Sequence, residues 1–190
     1  MVGRLIGAWL ACTNEERERG IRWYREAYLT AALLGDSYHL PLHKVAAIIA
    51  VLSPGLAWDQ NVVSAHQICA SYPGKIRGYG RNRRKALRIL AGETPESVLR
   101  GLKVTAFYRL IRDGGNSTDV CIDGHAANMA LGRGKLLIKD SDVTPGQVRL
   151  LQAEFQLAAR VIGVQPCQLQ AATWLAWRSS HGFKQGRLPY

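Results

Sequence analysis

The stretch Leu99-Arg-Gly-Leu-Lys-Val-Thr-Ala-Phe-Tyr-Arg-Leu-Ile111 decides the fold class. A short helix over 95–100 ends near Gly101 and a second runs over 103–112, so the segment reads as helix, tight hairpin, helix. Backbone N–H groups at the start of the second helix face outward and suit a phosphate, whereas the same positive dipole end is an unfavourable home for a lysine. Lys103 therefore contacts a phosphate, sits in solvent, or uses the electropositive setting to lower its pKa and act as an amine nucleophile.

Helical signals recur on both sides of this segment. Thr13-x-x-Glu16 is a capping box that opens a helix through Trp23, Ala27, Tyr28 and Ala31 to a stop at Gly35. Pro41 starts a helix over 42–52, whose Val45, Ile48, Ile49 and Leu52 indicate nearly complete burial, and Ser53-Pro54-Gly55 breaks it. Further helices are expected over 58–70, 82–91, 126–131, 145–162 behind a second capping box of Thr144 and Gln147, and 166–178. Only Val120-Cys121-Ile122 and residues 135–138 read as strand-like, too little for a sheet. The expected class is all-α, as one compact domain over 1–190, with Gly114-Gly115-Asn116-Ser117 as a loop tip and no internal repeat.

Composition narrows the possible roles. With 47% hydrophobic and 21% charged residues the chain has enough apolar surface to fold, which excludes a disordered protein. Its 25 Lys and Arg against 14 Asp and Glu leave a net charge of +11, an excess that suits nucleic acid best. Cys12, Cys69, Cys121 and Cys167 are scattered with no C-x-x-C pair, so neither a disulfide framework nor a zinc ribbon is indicated, and a reducing, cytoplasmic setting fits. The apolar run at the start lacks a signal-peptide pattern, and the longest apolar stretch, 45–52, is too short to span a bilayer; no membrane partner is expected.

Three features carry candidate chemistry. Lys75, Arg77, Arg81, Arg83, Arg84, Lys85 and Arg88 fall within fourteen residues without an acid, and Tyr79 between Gly78 and Gly80 lets that loop approach a phosphate backbone. A solvated basic helix face is the plainer reading. Asp123 follows three apolar residues and precedes a helix, which suits either a perturbed catalytic carboxylate or an ordinary N-cap. His125 alone carries less. Motifs for zinc deaminases, phosphate loops, metalloproteases and hydrolase elbows are missing from the sequence.

Gly101-Leu-Lys103-Val-Thr-Ala106, followed twenty residues after Lys103 by Asp123 in Ile-Asp-Gly-His125, resembles the signature of helix-hairpin-helix DNA glycosylases, in particular their 8-oxoguanine branch. The match covers roughly 95–131, and the rest of the chain fits as a multi-helix outline. The resemblance implies Lys103 as a Schiff-base lysine, Asp123 as the catalytic aspartate and His125 beside it. It implies an enzyme that breaks the N-glycosidic bond of a modified base in duplex DNA to leave an abasic site, with or without strand cleavage by Lys103.

The usual hairpin has two glycines spaced by one residue where this chain has Gly101 alone, so phosphate clamping and its metal ion are unsupported. The cysteine quartet of the iron–sulfur branch is missing too. No metal or cofactor is expected. Leu52-Ser-Pro54 with Trp58 and Asn61, Asn82 with Lys85-Ala86, and Gln170-Ala-Ala-Thr-Trp174 with Arg178 are similar to a divergent glycosylase-like group associated with hypermodified phage DNA, which points to a bulky modified base and a role in antiphage defence or in the modification pathway. Base extrusion wants pocket walls and a wedge, for which Trp58, Asn61, Tyr38 and His125 are the candidates, each equally readable as core or turn. DNA contact falls to Lys75, Arg77, Arg81, Asn82, Arg83, Arg84, Lys85 and Gly101. Two alternatives remain: a thymine-hypermodification enzyme on the same scaffold that leaves the glycosidic bond intact, and a non-catalytic helix-hairpin-helix DNA-binding protein.

Overall fold

A computed structural model of the chain describes residues 1–133 and 143–182. Among them are ten α-helices and no strand: α1 (Val2–Ala11), α2 (Asn14–Tyr38), α3 (Leu42–Leu52), α4 (Trp58–Cys69), α5 (Gly80–Leu90), α6 (Pro95–Val98), α7 (Leu102–Arg112), α8 (Gly124–Leu131), α9 (Pro145–Ile162) and α10 (Pro166–Ser180). The all-α class is therefore borne out. Val120-Cys121-Ile122 forms no strand, the Val120 carbonyl instead accepting from the Gln152 side chain, and the strand-like segment 135–138 lies outside the described residues. Several helix ends differ from expectation by one or two residues, and two differences are larger. The first helix, which the sequence showed only as an apolar run, forms because Leu5 and Trp9, one turn apart, bury one face. The second does not stop at Gly35: it continues to Tyr38, and the Leu40 N–H returns to the Gly35 carbonyl (2.9 Å).

Contacts cluster in two units, residues 25–114 and residues 1–24 with the described residues from 115 onward. In the 25–114 unit, α3 is the central element and packs against α4, α5, α6 and α7. Its residues Val45 through Leu52 are all buried, which is why the segment is apolar all round rather than amphipathic. Each fully buried Ile or Leu there contributes roughly 1.5–3 kcal/mol. By contrast α5 is two-faced: Asn82, Ala86 and Ile89, at helical spacing, turn inward, and Arg81, Arg84 and Arg88 turn to solvent.

In the other unit α1, α8, α9 and α10 pack on one another around Leu5, Leu151, Phe155, Leu169 and Leu175. Both expected capping boxes form. Thr13 and Glu16 exchange bonds of 2.9 and 3.2 Å, as do Thr144 and Gln147. The start of α2 meets α10 at Gly20, where a Cβ would stand 2.4 Å from the backbone of Ala172, so only a glycine permits this approach. The Gly114–Ser117 loop is pinned rather than free: Gly115 is buried and its carbonyl accepts from the Cys167 thiol (3.3 Å).

Candidate functional site

Asp123 stands where segment 120–122, which is neither helix nor strand, turns into α8. Its backbone is extended (φ −99°, ψ 179°), and its Oδ1 accepts from the Ala126 N–H at 2.8 Å, the N-cap bond that satisfies an otherwise orphaned donor. Its other oxygen, Oδ2, accepts from the indole Nε1–H of Trp174 on α10 at 2.9 Å. A half-buried carboxylate is thus fixed in direction by two N–H donors from different helices.

Trp174 is part of an aromatic cluster. Trp174 packs at 5.6 Å between centroids against Trp23 and at 6.4 Å against His125, and His125 lies 5.0 Å from Trp177. Trp177 is stacked at 4.0 Å on His181, whose Nδ1 is 2.8 Å from the Trp177 carbonyl. The Arg178 guanidinium sits 4.6 Å from the Trp174 ring centroid, a cation–π arrangement. Burial lowers the pKa of Arg178, and the charge of Asp123 opposes that shift. Trp177 is also a wall of an open cleft of about 370 Å³, whose lining is apolar at Ala8, Ala11 and Met129 and polar at Glu16, Thr173 and Ser179. Below the rings the Tyr24 hydroxyl donates to Gln170 Oε1 (3.1 Å), and burial pushes the Tyr24 pKa well up.

The remaining sequence candidates fall within residues 25–114. Lys75, Arg77, Arg81 and Arg84 are exposed, Lys85 is half-buried, and the Arg83 guanidinium donates to the Ile76 carbonyl and braces the loop before α5. Arg88 is paired with Glu93 through two bonds of 2.6 Å. Asn82 is 6% exposed on the inner face of α5, so it is separated from the outward cations. Gly101 caps α7 in the left-handed region (φ 88°), and Lys103 lies half-buried in the first turn.

Trp58 is 8% exposed and meets Phe107 edge-on at 6.5 Å, while Asn61 is buried and donates from Nδ2 to the Ile49 carbonyl (3.1 Å); neither presents its side chain at the surface. Tyr38, half-buried at the end of α2, shares a 2.7 Å hydrogen bond with His66 Nε2. The structure thus links Asp123 and His125 through Trp174, and it joins to them Arg178, which like Trp174 the sequence had offered only as part of a resemblance, and Trp23 and Trp177, which sequence reasoning had not singled out for a site. Their signal was present in the spacing: Trp174, Trp177, Arg178 and His181 share one face of α10. Among the described residues no three His, Cys, Asp or Glu side chains are grouped to hold a metal, and no helix is long and apolar enough to cross a membrane.

Fold and site together define an all-helical protein with a capped aspartate beside an aromatic and cationic cluster. The chain belongs to a family of unknown function, DUF7178, whose model matches residues 1–181. No curated protein and no solved structure matches it.

Proposed function

We propose that the chain is a DNA glycosylase that extrudes a modified base from duplex DNA and hydrolyses its N-glycosidic bond. The observation that carries this reading is the Asp123 carboxylate, held by Ala126 and by Trp174, which in turn belongs to an aromatic cluster with His125 and Trp177. As the base departs with the bonding electron pair, C1′ of the sugar gains oxocarbenium character, and a carboxylate and aromatic faces both attract such a cation. Because two N–H donors already orient Asp123, no reorganisation is needed as charge develops. Water adds to C1′, and its proton ends on the leaving base. The open cleft beside Trp177 receives that base, its volume of about 370 Å³ lying in the ordinary range of ligand clefts. Exposed cations of 75–84 hold the phosphate backbone.

Lys103 is given no bond-forming step in this scheme, with water as the nucleophile. Borohydride trapping tests it: base release without a trapped protein–DNA adduct is expected, and an adduct lost in Lys103→Gln would reinstate the lysine. Hypermodified phage DNA, and a role in defence against it, supply the first substrates to try.

One observation favours a second reading. Both oxygens of Asp123 accept from protein N–H groups, as a purely structural cap would, and this suits a non-catalytic DNA-binding protein. Asp123→Asn separates the two. The amide oxygen can still cap α8, but the NH2 then faces the Trp174 indole N–H and the charge is gone, so a catalyst stays folded with a modest loss of stability and keeps its DNA affinity while base release falls by orders of magnitude; an unchanged rate would remove Asp123 from the chemistry.

A further inference from the structure

The surface in front of α5 carries more than charge. No Asp or Glu occurs from residue 60 to residue 92, and within that span Lys75, Arg77, Arg81 and Arg84 are exposed. Two tyrosines lie among them, Tyr72 at 50% and Tyr79 at 54% exposure. A solvated basic face has no use for large exposed rings. Nor is Tyr79 a loose side chain: a Cβ on Gly55 would come within 2.8 Å of its Cε2, so the ring lies against the bare backbone of the turn before α4. Gly55 has φ +79° there, a conformation that L side chains rarely adopt, and the same turn contacts the Tyr79 loop through Leu56 and Gly78. The Arg81 guanidinium sits 5.7 Å from the Tyr79 ring centroid. An anchored, half-open aromatic ring with a guanidinium against it and further cations around it is the arrangement that holds a stacked base and its flanking phosphates.

We infer that Tyr79, with Arg81 and the exposed cations of 75–84, is a stacking platform for an unpaired nucleotide of DNA. A paired base keeps its faces against its neighbours in the duplex, so the ring adds binding only where a nucleotide is displaced or unpaired. The cations contribute on any DNA, because phosphates are present throughout. This inference rests on the DNA partner of the proposed function but not on base excision.

Fluorescence anisotropy of the full chain tests it with three labelled probes: an oligo(dT) single strand, an intact duplex, and the same duplex with one unpaired nucleotide. Tyr79→Ala and the bulkier Tyr79→Leu are expected to weaken binding to the single strand and the bulged duplex about tenfold, and to the intact duplex less than about twofold. Tyr79→Phe, which keeps the π face, retains wild-type affinity for all three, and circular dichroism shows each variant folded. The salt dependence is unchanged in every Tyr79 variant, since every cation that meets a phosphate is still in place. Equal losses on all three probes, or no loss on any, overturn the platform. A wild-type protein that binds none of the probes overturns the platform and the DNA reading together. Tyr79-dependent binding without base release leaves the platform standing and sinks only excision.

Discussion

At the scale of single residues, Asp123 and Trp174 set the geometry. The aspartate was legible in the sequence as both a cap and a candidate carboxylate, because an N-cap is a local feature of three or four residues. Its second partner was not, since Trp174 lies 51 positions away and only tertiary packing brings the indole to Oδ2. Trp174→Phe keeps an aromatic ring and deletes that donor. It is expected to cost about 1 kcal/mol in urea unfolding, and to slow base release by leaving the carboxylate held from one side; a variant with wild-type turnover would show that the indole bond does not position Asp123. Asp123→Ala, which leaves both the Ala126 and Trp174 donors without their acceptor, should cost about 2 kcal/mol, and Asp123→Asn about 1 kcal/mol, because its amide oxygen can serve only one of them.

At the scale of elements, the amphipathic pattern of α5 separated its inner Ala86 and Ile89 from its outer arginines. What it concealed is that Arg83, read as a DNA contact, braces the Ile76 carbonyl. The variant that tests the phosphate surface is therefore Lys75→Ala, Arg81→Ala and Arg84→Ala combined. Its log–log dependence of DNA affinity on salt should flatten by about 0.9 for each phosphate that the protein no longer neutralises, whatever the sequence of the duplex; an unchanged slope would take this face off the DNA. Gly35 shows a different limit. A glycine inside a helix costs about 1 kcal/mol against alanine and reads as a stop, but here a Cβ would stand 2.7 Å from the Leu40 carbonyl, so the glycine admits the returning chain. Gly20 does the same where α2 meets α10. Gly20→Ala should lower stability by roughly 1–3 kcal/mol, read as a fall in urea midpoint, through forced separation of the two helices; a variant as stable as wild type would contradict that close approach.

For the whole molecule, the all-α class was plain from helical spacing and the scarcity of strand-like segments. The division into two units near residue 24 was not, because it falls inside α2, where no proline or change of composition marks it. Buried thiols give the fold a pH dependence of definite sign. Burial pushes Cys12, Cys69 and Cys167 up from 9.0 to about 11, so the folded chain retains protons that the unfolded chain has released. Their contribution is complete below about pH 9 and is lost as pH rises through about 11. Tm should fall across that window, and more shallowly in Cys167→Ala; an identical slope in the variant would contradict the burial effect.

Base release is the property on which the proposed function stands, and it is measured by incubating the wild-type chain with hypermodified phage DNA and with duplexes carrying oxidised purines. Mass spectrometry detects the freed base and alkaline cleavage the abasic strand. Release from at least one substrate by wild type, falling by orders of magnitude in a folded Asp123→Asn chain, is the predicted result; DNA binding with no freed base from any of them, or equal release by Asp123→Asn, would contradict it.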